Sequence, residues 1–190
     1  LDREDLPTVN EIVDIDLKGE YHYIRLPCLM AINELHKTKP STLLQFDNAL
    51  LSRLLAFRFT YNAGENPEWE NTLIQQRPEL AADVLVAYAI PLLHAGKEHV
   101  SGLYPLAEND LYSGVAKIVL PKLLESFPLR ARKPQLINAL RPLLKGAIHY
   151  LDKDILSSLV AKKSESKNMD IAQRVYWLAC GVAIASSKYA

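Results

Sequence analysis

The chain contains little cysteine and little glycine, and it has no apolar run long enough to span a membrane. Cys28 and Cys180 lie far apart in apolar helical patterns, which favours burial as small hydrophobic side chains and leaves a disulfide between them open. With no spanning segment and no recognisable signal or transit peptide, we expect a cytoplasmic protein. Seven glycines against eleven prolines favour sharply ended helices over a β-rich fold.

Motifs for catalysis, phosphate binding and metal binding are also missing from the sequence. It has no glycine-rich phosphate-binding loop, dinucleotide-binding fingerprint or nucleophile elbow. No two of the five histidines stand three or four residues apart, the spacing that would put two metal ligands on one helical face. We therefore expect no enzymatic activity, no cofactor and no metal. An active site assembled from distant helices is the alternative that the sequence leaves open.

Three pairs of carboxylates are the remaining candidates for acid–base chemistry. Each pair stands where a helix is expected to begin, and negative charge there opposes the positive end of the helix dipole. We therefore interpret all three pairs as capping groups. The pairs are Glu68 with Glu70, Glu108 with Asp110, and Asp152 with Asp154.

What the sequence does contain is three prolines inside apolar segments of helical period, each followed closely by paired leucines. They are Pro91, Pro121 and Pro142. A proline inside a helix removes a backbone hydrogen bond and clashes with the preceding turn, at a cost of about 3 kcal/mol. Three such costs in successive helices indicate that packing between neighbouring helices offsets them, as in curved stacks of helical repeats.

The chain divides into an acidic leader, residues 1–24, and a helical region, residues 25–190. The leader carries seven acidic and two basic residues, and we expect a connector that packs on its neighbour through one helical turn or a short strand. In the helical region the apolar spacing predicts about eight helices. Pro78 and Pro134 open similar apolar patterns, which points to an internal repeat. The predicted fold is all-α, a right-handed α-solenoid of antiparallel helices.

Local patterns predict several helix boundaries and faces. Asp47 and Asp152 are expected to cap the helices that follow them. Residues 97–110 are predicted to form the longest irregular stretch of the helical region. In the terminal helix we expect an apolar stripe to face the core, and it consists of Ile171, Val175, Leu178 and Val182.

The strongest charge asymmetry lies in residues 117–167, here named the basic segment, which holds eleven lysines and arginines against four acidic residues. Three interpretations remain open: a solvated face, a surface for an acidic protein partner, and a surface for nucleic-acid phosphates. The segment lacks aromatic residues interleaved for base stacking, which argues against single-stranded nucleic acid. Its candidate contact residues are Arg130, Arg132, Lys133, Arg141 and Lys145.

The loop that follows Gly96 is the other candidate for function. An irregular segment of this length inside a compact domain is often functional or disordered. Two interpretations stay open, a structural connector and a loop that contacts a partner. If the second holds, the contact residues are His99 and Tyr104.

Proline-containing helices in antiparallel pairs, with aspartate caps between them, resemble the HEAT and armadillo class of α-solenoids. Two segments are also similar to stretches from the helical-repeat regions of very large bacterial proteins that carry a NACHT-type signalling NTPase domain: GKEHVSGLY at 96–104 and DIAQRVYWLA at 170–179. The nucleotide-binding signature of such domains is not in this chain. The resemblance implies a sensor or scaffold part without catalytic residues. Together with the start at Leu1, it suggests a fragment of a larger bacterial protein.

We therefore expect a non-enzymatic interaction, sensor or scaffold module that binds a protein partner or neighbouring domains of its parent chain. Helical stacks expose extended concave or edge surfaces for such binding. A helical repeat that binds nucleic acid through the basic segment is the alternative, and no membrane partner is expected.

Overall fold

The structure is a computed structural model that describes residues 5–61, 66–97, 99–130 and 136–186. Within these ranges every regular element is helical, which confirms the all-α prediction for the described residues. The α-helices are α1 Val9–Leu17, α2 Arg25–Thr38, α3 Asn48–Phe59, α4 Glu68–Gln76, α5 Pro78–His94, α6 Pro105–Glu108, α7 Ser113–Ser126, α8 Ile137–Tyr150, α9 Lys153–Ser164 and α10 Ile171–Ser186. Two 3₁₀ turns accompany them, Pro40–Gln45 and Asp110–Tyr112. None of the helices in the described ranges is both long enough and apolar enough to cross a membrane.

The chain forms two compact units, Leu1–Pro91 and Leu92–Ala190, named here the N-terminal unit and the C-terminal unit. The boundary between them falls inside α5, at the first of the three internal prolines. Pro121 and Pro142 likewise lie inside α7 and α8. The prediction that helices continue through all three prolines is therefore confirmed. Of the similar pattern predicted to begin at Pro134, Pro134 itself lies outside the described residues, while Leu136, Leu140 and Ile148 lie at the N-cap of α8 or within it.

In the N-terminal unit, α1 packs against α3, and α2 packs against both α3 and α4. Helix α1 is longer than the single turn or strand expected in the acidic leader, because its first turn is well capped. The Thr8 hydroxyl accepts from the Glu11 backbone N–H, and the Glu11 carboxylate accepts from the Thr8 backbone N–H. Ile12 and Val13 are buried, so this helix adds to the core.

The contact between α3 and α4 contains a buried ion pair. The Arg58 Nε donates to the Glu70 Oε2 at 2.8 Å, and both side chains are almost fully enclosed. Arg58 also donates to the Tyr61 carbonyl and to Asn66 Oδ1. Glu70 stands in the first turn of α4, as predicted, and its carboxylate also faces an interior arginine, a contact that the sequence did not predict.

In the C-terminal unit, α6 and α7 pack against α8, while α8 and α9 pack against α10. The stretch 97–110 is more regular than predicted, since it contains α6 and ends at the first residue of the 3₁₀ turn that precedes α7. Burial of Val100, Leu103 and Leu106 explains this, because apolar anchoring holds the segment against the unit. His94 and Gly96 end α5 as expected, with Gly96 at φ 73°.

The apolar stripe predicted to bury α10 is wrong. Ile171, Val175, Leu178 and Val182 are all exposed, and the buried face is Gln173, Trp177, Cys180 and Ile184. Both sets have the same helical spacing and differ by a shift of two residues, so periodicity alone could not choose between them. Trp177 decides the choice because it buries more apolar area than any aliphatic side chain. Gln173 joins it by donating to the Pro128 carbonyl.

The remaining boundary predictions have mixed outcomes. Asp47 caps α3 by accepting from the Leu50 backbone N–H at 2.8 Å, which confirms that cap. Asp152 stands at the N-cap of α9, but its side chain makes no capping hydrogen bond.

Both cysteines are buried free thiols, as expected. Burial raises the pKa of the Cys180 thiol to about 11, so this thiol stays protonated at neutral pH.

Candidate partner-binding groove

A groove of about 470 Å³ opens on the C-terminal unit between α6, α8 and the loop before α6. We name it the α6–α8 groove. Its lining brings together a histidine, a tyrosine, an asparagine, two basic side chains and a carboxylate. The lining residues are His99, Tyr104, Ala107, Glu108, Asn138, Arg141, Pro142 and Lys145.

A glycine in α8 lets the two helices that form the groove approach closely. A Cβ at Gly146 would lie 2.4 Å from the Leu106 carbonyl oxygen and 3.3 Å from the Ala107 Cα. Contacts this short with backbone atoms cannot be relieved by rotating a side chain. Gly146 therefore sets the spacing between α6 and α8, and with it the distance across the groove from Glu108 to Lys145.

The internal proline of α8 also shapes the groove. Pro142 has no N–H, so the carbonyl of Asn138, four residues earlier, loses its usual partner in the helix. Pro142 is buried while Asn138 and Arg141 are exposed, and all three line the groove. Pro142 is thus the buried member of a wall whose other α8 residues, Asn138, Arg141 and Lys145, are exposed.

An ion pair crosses the groove and leaves one arginine available. Lys145 Nζ donates to Glu108 Oε1 at 2.8 Å, and both side chains are largely exposed. This hydrogen bond and the lysine charge hold the pKa of the Glu108 carboxyl below its usual range. Among the described residues, no hydrogen bond or ion pair engages the Arg141 guanidinium. The groove therefore carries a net positive charge near Arg141.

Next to the groove, the end of α8 is tied to the 3₁₀ turn Asp110–Tyr112. The Tyr150 hydroxyl donates to Asp110 Oδ1 at 3.1 Å, and His149 Nε2 lies 3.9 Å from the same oxygen. Burial and this hydrogen bond raise the pKa of Tyr150. Asp110 stands in the first turn of the 3₁₀ turn, as predicted, and also accepts from a side chain of α8. Glu108 is the last residue of the four-residue helix α6.

The structure brings together four of the seven predicted contact residues. His99, Tyr104, Arg141 and Lys145 line one groove although they come from two predictions, the loop and the basic segment. Arg130 lies elsewhere, where its Nε donates to the Asn168 carbonyl at 3.3 Å. Arg132 and Lys133 lie outside the described residues.

Two further lysines of the basic segment make contacts within the chain. Lys162 Nζ pairs with Glu125 Oε1 at 2.6 Å. Lys163 is buried, and its Nζ donates to the Glu125 carbonyl at 2.8 Å and the Phe127 carbonyl at 3.0 Å. Lys163 thus caps the end of α7 and is unavailable to a partner. Lys162 and Lys163 are therefore both engaged in contacts within the chain.

Sequence reasoning missed half of the groove lining. Ala107, Glu108, Asn138 and Pro142 were not predicted as contact residues. Pro142 had been noted as an internal proline, and that was the only signal that this part of α8 is unusual. No local pattern connects Glu108 with Lys145, because their contact depends on the packing of α6 against α8.

The groove is suited to hold an anion. Arginine offers a planar fork of donors that matches a carboxylate or phosphate, while lysine, tyrosine and asparagine add single donors. No cluster of metal-ligating side chains occurs in the described ranges. A second cavity of about 680 Å³ lies in the N-terminal unit, and its lining includes three carboxylates and two cations: Asp5, Glu11, Asp14, Lys18 and Arg53.

Comparisons of the chain with protein-family models, with curated proteins and with solved structures found no match.

Proposed function

We propose that the chain is a non-enzymatic protein-interaction module, and that its α6–α8 groove binds an acidic segment of a partner protein. The observation that carries this proposal is the convergence of His99, Tyr104, Arg141 and Lys145 on one groove. Tyrosine and arginine are the side chains most often found where an interface gains its affinity. An acidic side chain entering the groove would meet Arg141 first and could then compete with Glu108 for Lys145.

A protein partner is favoured over nucleic acid by the way the cations are arranged. A nucleic-acid backbone is bound by many cations that neutralise successive phosphates. Here Lys145 and Lys162 are paired with glutamates, and Lys163 is buried. The groove offers a small number of donors of different geometry, which suits one or two carboxylates.

The test is the binding of a fluorescein-labelled peptide of about ten glutamates, followed by fluorescence anisotropy at low salt. Arg141→Ala should weaken binding roughly five- to tenfold, because it removes an arginine of the groove that no carboxylate pairs. The matched control is Lys117→Ala, which removes one exposed positive charge from α7, outside the groove. The control should bind the peptide as the unmodified chain does.

Three results would contradict the proposal. Equal weakening by Arg141→Ala and Lys117→Ala would mean that the peptide responds only to total charge. Tighter binding of an RNA or DNA oligonucleotide than of the peptide at the same salt would favour the nucleic-acid alternative. Absence of peptide binding even at low salt would remove the groove as an acidic-segment site.

We further propose that the module is a HEAT- or armadillo-like right-handed α-solenoid and a cytoplasmic sensor or scaffold part of a larger bacterial protein. The support is the resemblance of the two quoted segments and the internal prolines of α5, α7 and α8. Small-angle X-ray scattering tests the shape. A compact chain of this length has a radius of gyration of about 16 Å. A clearly larger value fits the solenoid, and a value of about 16 Å contradicts it.

A further inference from the structure

Lys145, one of the two cations of the α6–α8 groove, already binds a carboxylate of the chain itself. Its Nζ donates to Glu108 Oε1 at 2.8 Å, and Arg141 stands four residues earlier on the same helix. Side chains four residues apart lie on one face of a helix, so Arg141 and Lys145 border the same space. An anion bound by Arg141 therefore lies close to the Glu108 carboxylate.

The formal charge of the groove limits how much negative charge a ligand can bring into it. Among the described residues that line it, the two cations stand against one carboxylate, which leaves a formal charge of +1 with histidine counted as neutral. The side chain of an aspartate or glutamate carries one negative charge and balances this. A phosphate monoester carries about −1.5 to −2 at neutral pH and would leave surplus negative charge beside Glu108. Like charges placed together in a binding site disfavour the ligand that brings them together.

Glu108 keeps both its charge and its place in the groove. The hydrogen bond from Lys145 and the lysine charge lower the pKa of this carboxyl, so Glu108 is ionised at neutral pH. Leu106 and Ala107, which precede it in α6, are buried, and Gly146 lets their backbone pack directly against α8. A ligand can rotate the exposed side chain of Glu108, but it cannot displace the packed backbone that carries it.

We propose that Glu108 is a specificity-determining residue of the groove, which selects partner segments with carboxylate side chains over segments with phosphorylated side chains. This inference rests on the binding of an acidic segment proposed above. A carboxylate can accept from the Arg141 guanidinium while Glu108 stays on Lys145. A phosphate would have to displace Glu108 from Lys145 or bind next to a carboxylate. Removing the charge of Glu108 should therefore release Lys145 and open the groove to phosphate.

The test compares the binding of two fluorescein-labelled peptides by fluorescence anisotropy at low salt. Both have about ten residues and alternate with glycine, and the other positions are all glutamate in one peptide and all phosphoserine in the other. At about pH 8 a phosphoserine is a dianion and an ordinary histidine is neutral. The quantity measured is the ratio of the two dissociation constants, because effects common to both peptides cancel in it.

The unmodified chain should bind the glutamate peptide at least as tightly as the phosphopeptide, although the phosphopeptide carries about twice the charge. Glu108→Gln should shift the ratio about fivefold or more towards the phosphopeptide. The matched control is Glu125→Gln, since Glu125 pairs with Lys162 at 2.6 Å, is similarly exposed, and lies on α7 outside the groove. It changes the net charge by the same amount and should leave the ratio unchanged. Circular dichroism checks that both variants remain folded.

Each outcome decides the proposal. Tighter binding of the phosphopeptide by the unmodified chain overturns it, and so does an unchanged ratio in Glu108→Gln. Equal shifts in Glu108→Gln and Glu125→Gln also overturn it, because the peptides would then respond only to total charge. None of these results affects the proposed function, since Arg141→Ala should weaken the glutamate peptide whether or not Glu108 discriminates. Absence of binding of both peptides by the unmodified chain would overturn the proposed function and this inference together.

Discussion

The two units use ion pairs of equal length in opposite ways. In the N-terminal unit, Arg58 and Glu70 lie 2.8 Å apart with side chains 10% and 3% exposed. In the C-terminal unit, Lys145 and Glu108 also lie 2.8 Å apart, but each side chain is 63% exposed. Removing one partner of a buried pair leaves an unpaired charge in the interior, whereas water screens an exposed pair. The buried pair of Arg58 and Glu70 is therefore expected to stabilise the fold, whereas the exposed pair of Lys145 and Glu108 is accessible to a ligand.

The strongest test of this contrast is Glu70→Ala in the N-terminal unit. It should lower the free energy of unfolding by about 3–5 kcal/mol, because Arg58 would remain charged and buried without its carboxylate. Urea denaturation followed by circular dichroism measures the loss. Glu68→Ala is the matched control, since Glu68 is an exposed carboxylate in the same helical turn. If both variants lose the same small amount, the buried pair is no more important than a surface one.

A second test concerns the buried Lys163 of the C-terminal unit and its contribution to the free energy of unfolding. Lys163→Met should cost about 1–3 kcal/mol, because the Glu125 and Phe127 carbonyls lose the donor that satisfies them. Lys162→Met is the control, and removing this exposed neighbour should cost much less. Equal losses for the two variants would show that Lys163 does not act as the cap of α7.

The pH dependence of this lysine has a definite sign. Burial lowers the pKa of Lys163 from its ordinary value of 10.5, so the unfolded chain binds this proton more tightly than the folded one. Stability attributable to Lys163 should therefore rise as the pH rises from the lowered pKa towards 10.5. The Lys163→Met variant should lack that rise, and Lys162→Met should retain it.

Local chemistry made the all-α class and many boundaries predictable from the sequence. Asp47 and the internal prolines act through their own backbone neighbourhoods, so their effects can be inferred without the fold. The capping box of α1 was equally readable, because Thr8 and Glu11 have the required spacing, yet it was not predicted. The length of α1 was underestimated for this reason.

Residue contacts that depend on packing could not be inferred in the same way. Helix α10 has two apolar stripes of equal spacing. Which of them is buried depends on the packing of Trp177 against its neighbours. In the groove, Arg141 and Lys145 were predicted from charge alone, while Glu108 was assigned to a helix start. Their meeting depends on Gly146, whose missing side chain admits the backbone of α6. A close approach of this kind leaves no periodic signal in the sequence.

The prediction with the smallest expected effect concerns the exposed ion pair of Lys145 and Glu108. Lys145→Ala should raise the pKa of the Glu108 carboxyl towards its ordinary value of 4.5, because Lys145 supplies both the hydrogen bond and the charge that lower it. A titration followed by carboxyl ¹³C NMR measures this directly. Glu125 is an internal reference, since Lys162 and not Lys145 lowers its pKa.

The same titration shows whether Lys145 and Glu108 remain paired in solution or are separated by water. With a lowered pKa, Glu108 contributes to stability above pH 4.5, and the contribution is lost as the pH falls through its folded-state value. Exposure keeps that contribution small, so stability should hardly change in Lys145→Ala while the pKa of Glu108 moves. An unchanged pKa would mean that water already separates the two charges, and Lys145 would then be as free as Arg141 to receive an acidic partner.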